Sequence, residues 1–187
     1  FFSVLGCHLD LNYPLRRQRL MWIRDIPGAE LLYGVEKEIT RQELADSLKN
    51  GTITEICHHA PVKKGDVFFI PAGTIHAIGA GALIAEIQQS SNLTYRLYDY
   101  DRVDKNGHKR PLHVQKALAA ANLRSSTAPR QPMRVLHYRP GCASELLCRC
   151  RYFEVYRMLV NTERRQKVAY RADAMSFRVL LCVDGCG

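Results

Sequence analysis

Apolar residues along the chain come in short runs, and glycine and proline cut them. Glu30-Leu31-Leu32-Tyr33 follows the turn Ile26-Pro27-Gly28-Ala29 and stops at Gly34, which predicts a strand. Thr40-Arg41-Gln42-Glu43 reads as a capping box opening a helix. Leu44 and Leu48 share one face of that helix, and Asn50-Gly51 ends it. Ile53 to Cys57 is a further strand candidate. Val67-Phe68-Phe69-Ile70 is a buried-strand run between Gly65-Asp66 and Pro71-Ala72-Gly73. Extended structure is predicted again for 74–78, 82–88 and 94–100, with an Asn-Gly hairpin signal at Asp104-Lys105-Asn106-Gly107. From about Leu112 to Asn122 the period becomes helical.

Residues 124–132, Arg-Ser-Ser-Thr-Ala-Pro-Arg-Gln-Pro, read as a linker. Strands are then predicted at 134–138, 152–159 and 176–183. Gly185-Cys186-Gly187 falls where a hairpin is expected to continue, so the chain is expected to be incomplete. Many short strands at even spacing, with helices as inserts, predict a mainly β fold: a β-barrel or jelly roll. The expected organisation is a first domain over 1–123, the linker, and part of a second β-domain over 133–187.

Composition changes this picture little. Apolar residues at 47% and charged residues at 24% suit a globular chain. No run is long and apolar enough for a transmembrane helix. The net charge of +9 admits an anionic small substrate, a membrane surface or nucleic acid. The basic residues are scattered, without the interleaved aromatics of single-strand binders, so no nucleic-acid partner is expected. Seven cysteines, an odd number, include no C-x-x-C pair. They predict reduced thiols in a cytoplasmic protein rather than a disulfide framework. Cys148 and Cys150 would share a strand face.

The densest chemistry lies between Gly65 and His76. Gly65 permits a tight turn, Pro71 ends ladder pairing, and Gly73 lets the backbone bend where a side chain would obstruct. His76 then emerges on the next strand, where alternation can aim an imidazole inward, and an imidazole is a good zinc ligand. By the same alternation Arg96 would share a face with Thr94 and Tyr98. A guanidinium there stays protonated, so it suits stabilising an oxyanion rather than acting as a base. Glu86 and Gln88 fit either a cavity lining or a solvent-facing strand. His58 and His59, being adjacent, read as loop or surface groups, and His108 and His113 as surface or capping groups. Asp99 and Asp101 read as turn-fixing.

The Gly65–Pro71–Gly73–His76 spacing resembles the second motif of the cupin superfamily. Residues 85–102, Ala-Glu-Ile-Gln-Gln-Ser-Ser-Asn-Leu-Thr-Tyr-Arg-Leu-Tyr-Asp-Tyr-Asp-Arg, closely resemble type I mannose-6-phosphate isomerases in their short bacterial form. So do 26–34 and 112–118, and the likeness runs from about Met21 to about Leu123. It implies a cupin barrel with one zinc ion, His76 as a metal ligand and Arg96 as a catalytic residue. It also implies a sugar-phosphate partner and the interconversion of mannose 6-phosphate and fructose 6-phosphate, in carbohydrate metabolism. The general base and the phosphate-binding residues stay unassigned. Upstream the pattern departs from the family: Leu20 stands where a ligand glutamate is expected, and His8 is a weak candidate for another ligand. A leucine cannot replace a carboxylate at zinc. The alternative is therefore a degenerate or truncated cupin module that binds sugar without catalysis.

Overall fold

A computed structural model describes residues 2–6, 19–24, 28–91, 93–100, 102–125, 135–161 and 167–185. The chain is mainly β with three short helices among these residues, and it divides into two compact units.

Strand β1 is Phe2–Gly6 and β2 is Arg19–Arg24. The unit spanning 15–130 continues with β3 (Glu30–Val35), helix α1 (Arg41–Asn50), the one-turn helix α2 (Ile53–Ile56) and β4 (Cys57–Pro61). Then come β5 (Val67–Ile70), β6 (His76–Ile78), β7 (Leu83–Gln88) and α3 (Val114–Ala120). Two antiparallel three-stranded sheets result, in the orders β5-β2-β7 and β4-β3-β6.

β3 is buried on both faces, which explains its continuous apolar run. Leu31 and Tyr33 point to a core shared with Ala60, Phe68 and Ile70. Leu32, on the opposite face by alternation, joins Leu44, Ile53 and Cys57 under the helices. Tyr33 anchors the first core, with its ring 6.4 Å from that of Phe68 and its hydroxyl donating to the Phe69 carbonyl at 3.0 Å.

The capping box forms as expected. The Thr40 hydroxyl accepts from the Glu43 N–H, and the Glu43 carboxylate accepts from the Thr40 N–H at 2.6 Å. That carboxylate is held below its usual range, first by the Thr40 backbone hydrogen bond. Gly51 closes α1 in the left-handed conformation at φ 72°. Thr40→Ala is expected to cost about 1 kcal/mol of stability. Urea denaturation checks this, and an unchanged midpoint would mean that the box contributes nothing.

Three expectations fail in this unit. Ile53–Ile56 forms a helical turn, and the strand begins only at Cys57. The chain turns at once after α1, with Thr52 N–H on the Ser47 carbonyl and Glu55 N–H on that of Thr52. That turn brings Ile53 and Ile56, three apart, onto the core beneath the helices. His58 and His59 lie in β4, and the exposed His59 is a surface group as expected. The described residues of 94–100 form no strand. Their composition favours one, but β structure needs a neighbour to take its amides, and here the Arg96 N–H and carbonyl are taken by His113. Helix α3 is also shorter than predicted. The Asn-Gly hairpin is present, with Val103 bridged to Lys109 and the Asp104 N–H on the His108 carbonyl at 2.9 Å.

The other unit combines residues 1–14 with 131–187. It contains β8 (His137–Arg139), β9 (Cys142–Arg149), β10 (Phe153–Val160) and β11 (Arg178–Leu181). These form one sheet in the order β11-β1-β10-β9-β8. β1, which the sequence reading set within 1–123, thus pairs with β10 and β11. β9 is absent from the expected strands because Ala, Ser and Glu are poor strand formers. Its Glu145 is buried and stands opposite Arg157, with which it forms an ion pair. That partner makes the buried charge tolerable. β9 ends at Arg149, so Cys148 and Cys150 do not share a strand face: Cys148 is buried, and Cys150 lies in the turn to β10. Within the expected linker, Ser125 bridges Val35 and its hydroxyl donates to the Glu36 carbonyl at 2.7 Å. Residues 126–132 lie outside the described residues.

Candidate functional site

The unit spanning 15–130 holds a cavity of about 730 Å³. Its size is in the range of small-molecule sites. One wall is the loop and strand Ile70–Ala77, a second is the irregular segment 93–98 with Tyr100, and a third is the end of α3. Leu32, Ile53 and Cys57 contribute apolar surface.

Each motif residue has a visible task in the first wall. Gly65, at φ 88°, makes the turn in which the Asp66 N–H meets the Lys63 carbonyl. Pro71 ends β5, and its carbonyl accepts from Thr74 N–H. Gly73, at φ 86°, lies against the end of α3: a Cβ there would sit 2.7 Å from the Ala120 carbonyl oxygen. The Asn122 N–H donates to the Gly73 carbonyl at 2.8 Å.

His76 opens β6 opposite Tyr33. It is half-buried and lines the cavity. Nδ1 lies 2.8 Å from the Thr74 carbonyl oxygen. A carbonyl can only accept, so Nδ1 carries the proton, and in the neutral ring Nε2 keeps its lone pair. That tautomer is the one a metal ligand through Nε2 requires.

Arg96 lines the same cavity from the second wall and is half-buried. The sequence aimed it by strand alternation, but no strand is present. Instead it is tied to the residues ahead of α3. Its N–H donates to His113 Nδ1 at 3.3 Å, its carbonyl accepts from the His113 N–H at 2.8 Å, and its guanidinium donates to the Pro111 carbonyl at 3.2 Å. His113 was expected to be a surface or capping group. It does precede α3, yet makes no side-chain cap. Its presence in the signature 112–118 was the one sequence signal of this role.

Tyr98 and Tyr100 also face the cavity, with ring centroids 4.9 Å apart. Burial pushes the Tyr100 phenol up. Asp99 fixes the turn as expected, its carbonyl accepting from the Arg102 N–H. Its carboxylate is clamped by Arg110, whose guanidinium holds it below the usual carboxylate range. Glu86 and Gln88 are exposed and absent from the cavity wall. His108 is exposed beside Asp104, and His59 bonds Glu30 and the Thr54 carbonyl. Burial raises the Cys57 thiol to about 11 and the Cys148 thiol to about 12, so neither is a ready nucleophile at neutral pH.

A zinc ion at His76 needs further protein donors beside it. Among the described residues no group of three His, Cys, Asp or Glu side chains could hold an ion. His8 lies outside the described residues. Leu20 stands in β2, in register with Phe69 and Ile87. The described residues alone therefore do not fit a zinc ion.

No family model matches the chain. Among known proteins, the mannose-6-phosphate isomerase of Streptococcus mutans is 46% identical over 91 residues, 49% of this chain and 28% of that one. Mannose-6-phosphate isomerase ManA of Bacillus subtilis is 39% identical over 130 residues, 68% of this chain and 39% of that one. The Bacillus subtilis relative YvyI is 35% identical over 163 residues, 86% of this chain and 48% of that one. The chain thus spans less than half the length of these relatives. The crystal structure of the Bacillus subtilis mannose 6-phosphate isomerase superposes with a TM-score of 0.72 at 30% identity, over 86% of this chain and 52% of that one. A structure from Archaeoglobus fulgidus, at 14% identity and a TM-score of 0.51, bears on the fold alone. The chain has the mainly β fold of these cupin-type structures. It is a homologue of the bacterial type I mannose-6-phosphate isomerases, covering part of their length. Among the described residues no helix is long and apolar enough to cross a membrane.

Proposed function

We propose that this chain carries part of a mannose-6-phosphate isomerase site, which interconverts mannose 6-phosphate and fructose 6-phosphate. The observation that supports this best is the single cavity lined by both His76 and Arg96. An aldose–ketose change moves a proton between C1 and C2 through an enediol. Arg96 stabilises the negative charge that develops on the enediolate oxygens, which a fixed guanidinium does well in a half-enclosed site. Its permanent charge excludes it as the general base. His76 would be one of the residues to hold a metal ion, which would supply Lewis acidity at the sugar oxygens. Since no group of three such donors is found among the described residues, the steps assigned here belong to Arg96 and the cavity. In this reading the first-domain segment from residue 15 to 123 belongs to a cupin domain with a closed barrel, 124–132 link, and 133–187, whose sheet takes in β1, belong to a second cupin-like domain. A cytoplasmic location goes with it.

A second reading, a cupin module that binds sugar phosphate without turning it over, is favoured by the lack of a three-donor metal group among the described residues. A coupled isomerase assay with added zinc separates the two. Arg96→Ala is expected to lower kcat roughly a hundredfold, and His76→Ala to abolish the response to zinc. Activity indifferent to both changes would sink the site assignment. Binding without turnover in the unaltered chain supports the second reading, and one tightly held zinc per molecule argues against it.

A further inference from the structure

We propose that His113 is the residue that positions Arg96 in the cavity. The inference rests on the reading of Arg96 given above and goes beyond it. Arg96 is in no strand, so no ladder holds its backbone. Its amide, its carbonyl and its guanidinium all bond to residues 111–113 instead. Two of those three bonds go to His113 itself. The Tyr95 ring lies 6.3 Å from the imidazole and packs the neighbouring residue against it.

His113 is itself well placed to serve as an anchor. It stands at the start of α3, and the C-terminal end of that helix carries the cavity wall that Gly73 packs against. The Ala117 N–H donates to the His113 carbonyl at 2.9 Å, tying His113 to the first turn of the helix. The imidazole thus links the guanidinium-bearing segment to the wall beside His76. To accept from Arg96 N–H, Nδ1 must be the unprotonated nitrogen, and the proton sits on Nε2. Alanine loses this acceptor. Asparagine keeps one, because its Oδ1 lies one bond beyond Cγ, as Nδ1 does. Glutamine places its oxygen one bond too far.

The test compares the full chain with His113→Asn, His113→Gln and His113→Ala. Two quantities are read: hydrogen exchange of the Arg96 amide by NMR, and the steady-state isomerisation of fructose 6-phosphate with added zinc. In His113→Ala and His113→Gln the Arg96 amide is expected to exchange about tenfold faster or more, as a locally released amide does. kcat is expected to fall roughly tenfold with KM little changed, the mark of a misplaced group that acts on developing charge. His113→Asn is expected to restore both. Should His113→Ala fail to fold, the asparagine and glutamine variants still differ only in reach. Equal amide protection in all the variants overturns the proposal, as does an undiminished kcat in His113→Gln. If the unaltered chain does not isomerise, the proposed function falls, while the amide exchange still decides whether His113 holds Arg96.

Discussion

Phe68→Ala is expected to cost about 3–5 kcal/mol of stability. Phe68 is fully buried, in the middle of β5, and packs against Tyr33 between the two sheets of its unit. Truncation removes the ring's transfer free energy and leaves a void that a sheet pair cannot close without moving both backbones. Against a total stability of about 5–15 kcal/mol for an ordinary domain, the loss is a large fraction. Phe68→Leu, which keeps most of the volume, is expected to cost clearly less. Chemical denaturation of the three proteins decides the matter. A shift below about 1 kcal/mol for the alanine variant would mean that the site collapses freely and that this core is not the one described.

Gly73→Ala is expected to have an effect of similar scale, about 3 kcal/mol, and to disturb the cavity as well. Two costs add. The left-handed backbone conformation alone costs an alanine about 1–2 kcal/mol. The new Cβ would also lie 2.7 Å from the Ala120 carbonyl oxygen, a backbone atom that cannot swing aside. Gly107 separates the two costs. It has a similar φ of 79°, and nothing lies within 4 Å of its hypothetical Cβ. Gly107→Ala should therefore show the conformational cost and little else. Equal losses in the two variants would refute the close approach of Gly73 to α3.

Gly73 also illustrates what the sequence made legible. A glycine in that spacing implied a backbone that a side chain would obstruct, and the obstructing atom is now identified as the Ala120 carbonyl oxygen. The capping box at Thr40 and the hairpin at 104–107 were legible for the same reason: each is decided by residues a few positions apart. Arg96 was legible as a residue but not as a geometry. Its β-prone neighbours predicted alternation, whereas its backbone partners lie seventeen positions on, at His113, and no local rule finds them. β9 was missed because Glu145 looks wrong for a buried strand until Arg157 is seen opposite.

The stretch from Arg96 to His113 closes on itself in stages. Arg96 meets His113, Asp99 meets Arg110, Val103 meets Lys109, and Asp104 meets His108. Each pairing sits inside the one before, like the rungs of a stem, so each inner rung has only a short span left to close. For a flexible loop, doubling its length costs only about 0.6 kcal/mol in closure entropy. Chain added at the tip, around Lys105 and Asn106, is therefore cheap and leaves the base of the stem in place. The arginine sits at that base. A longer or decorated tip would therefore leave the Arg96 end of the stem where it is.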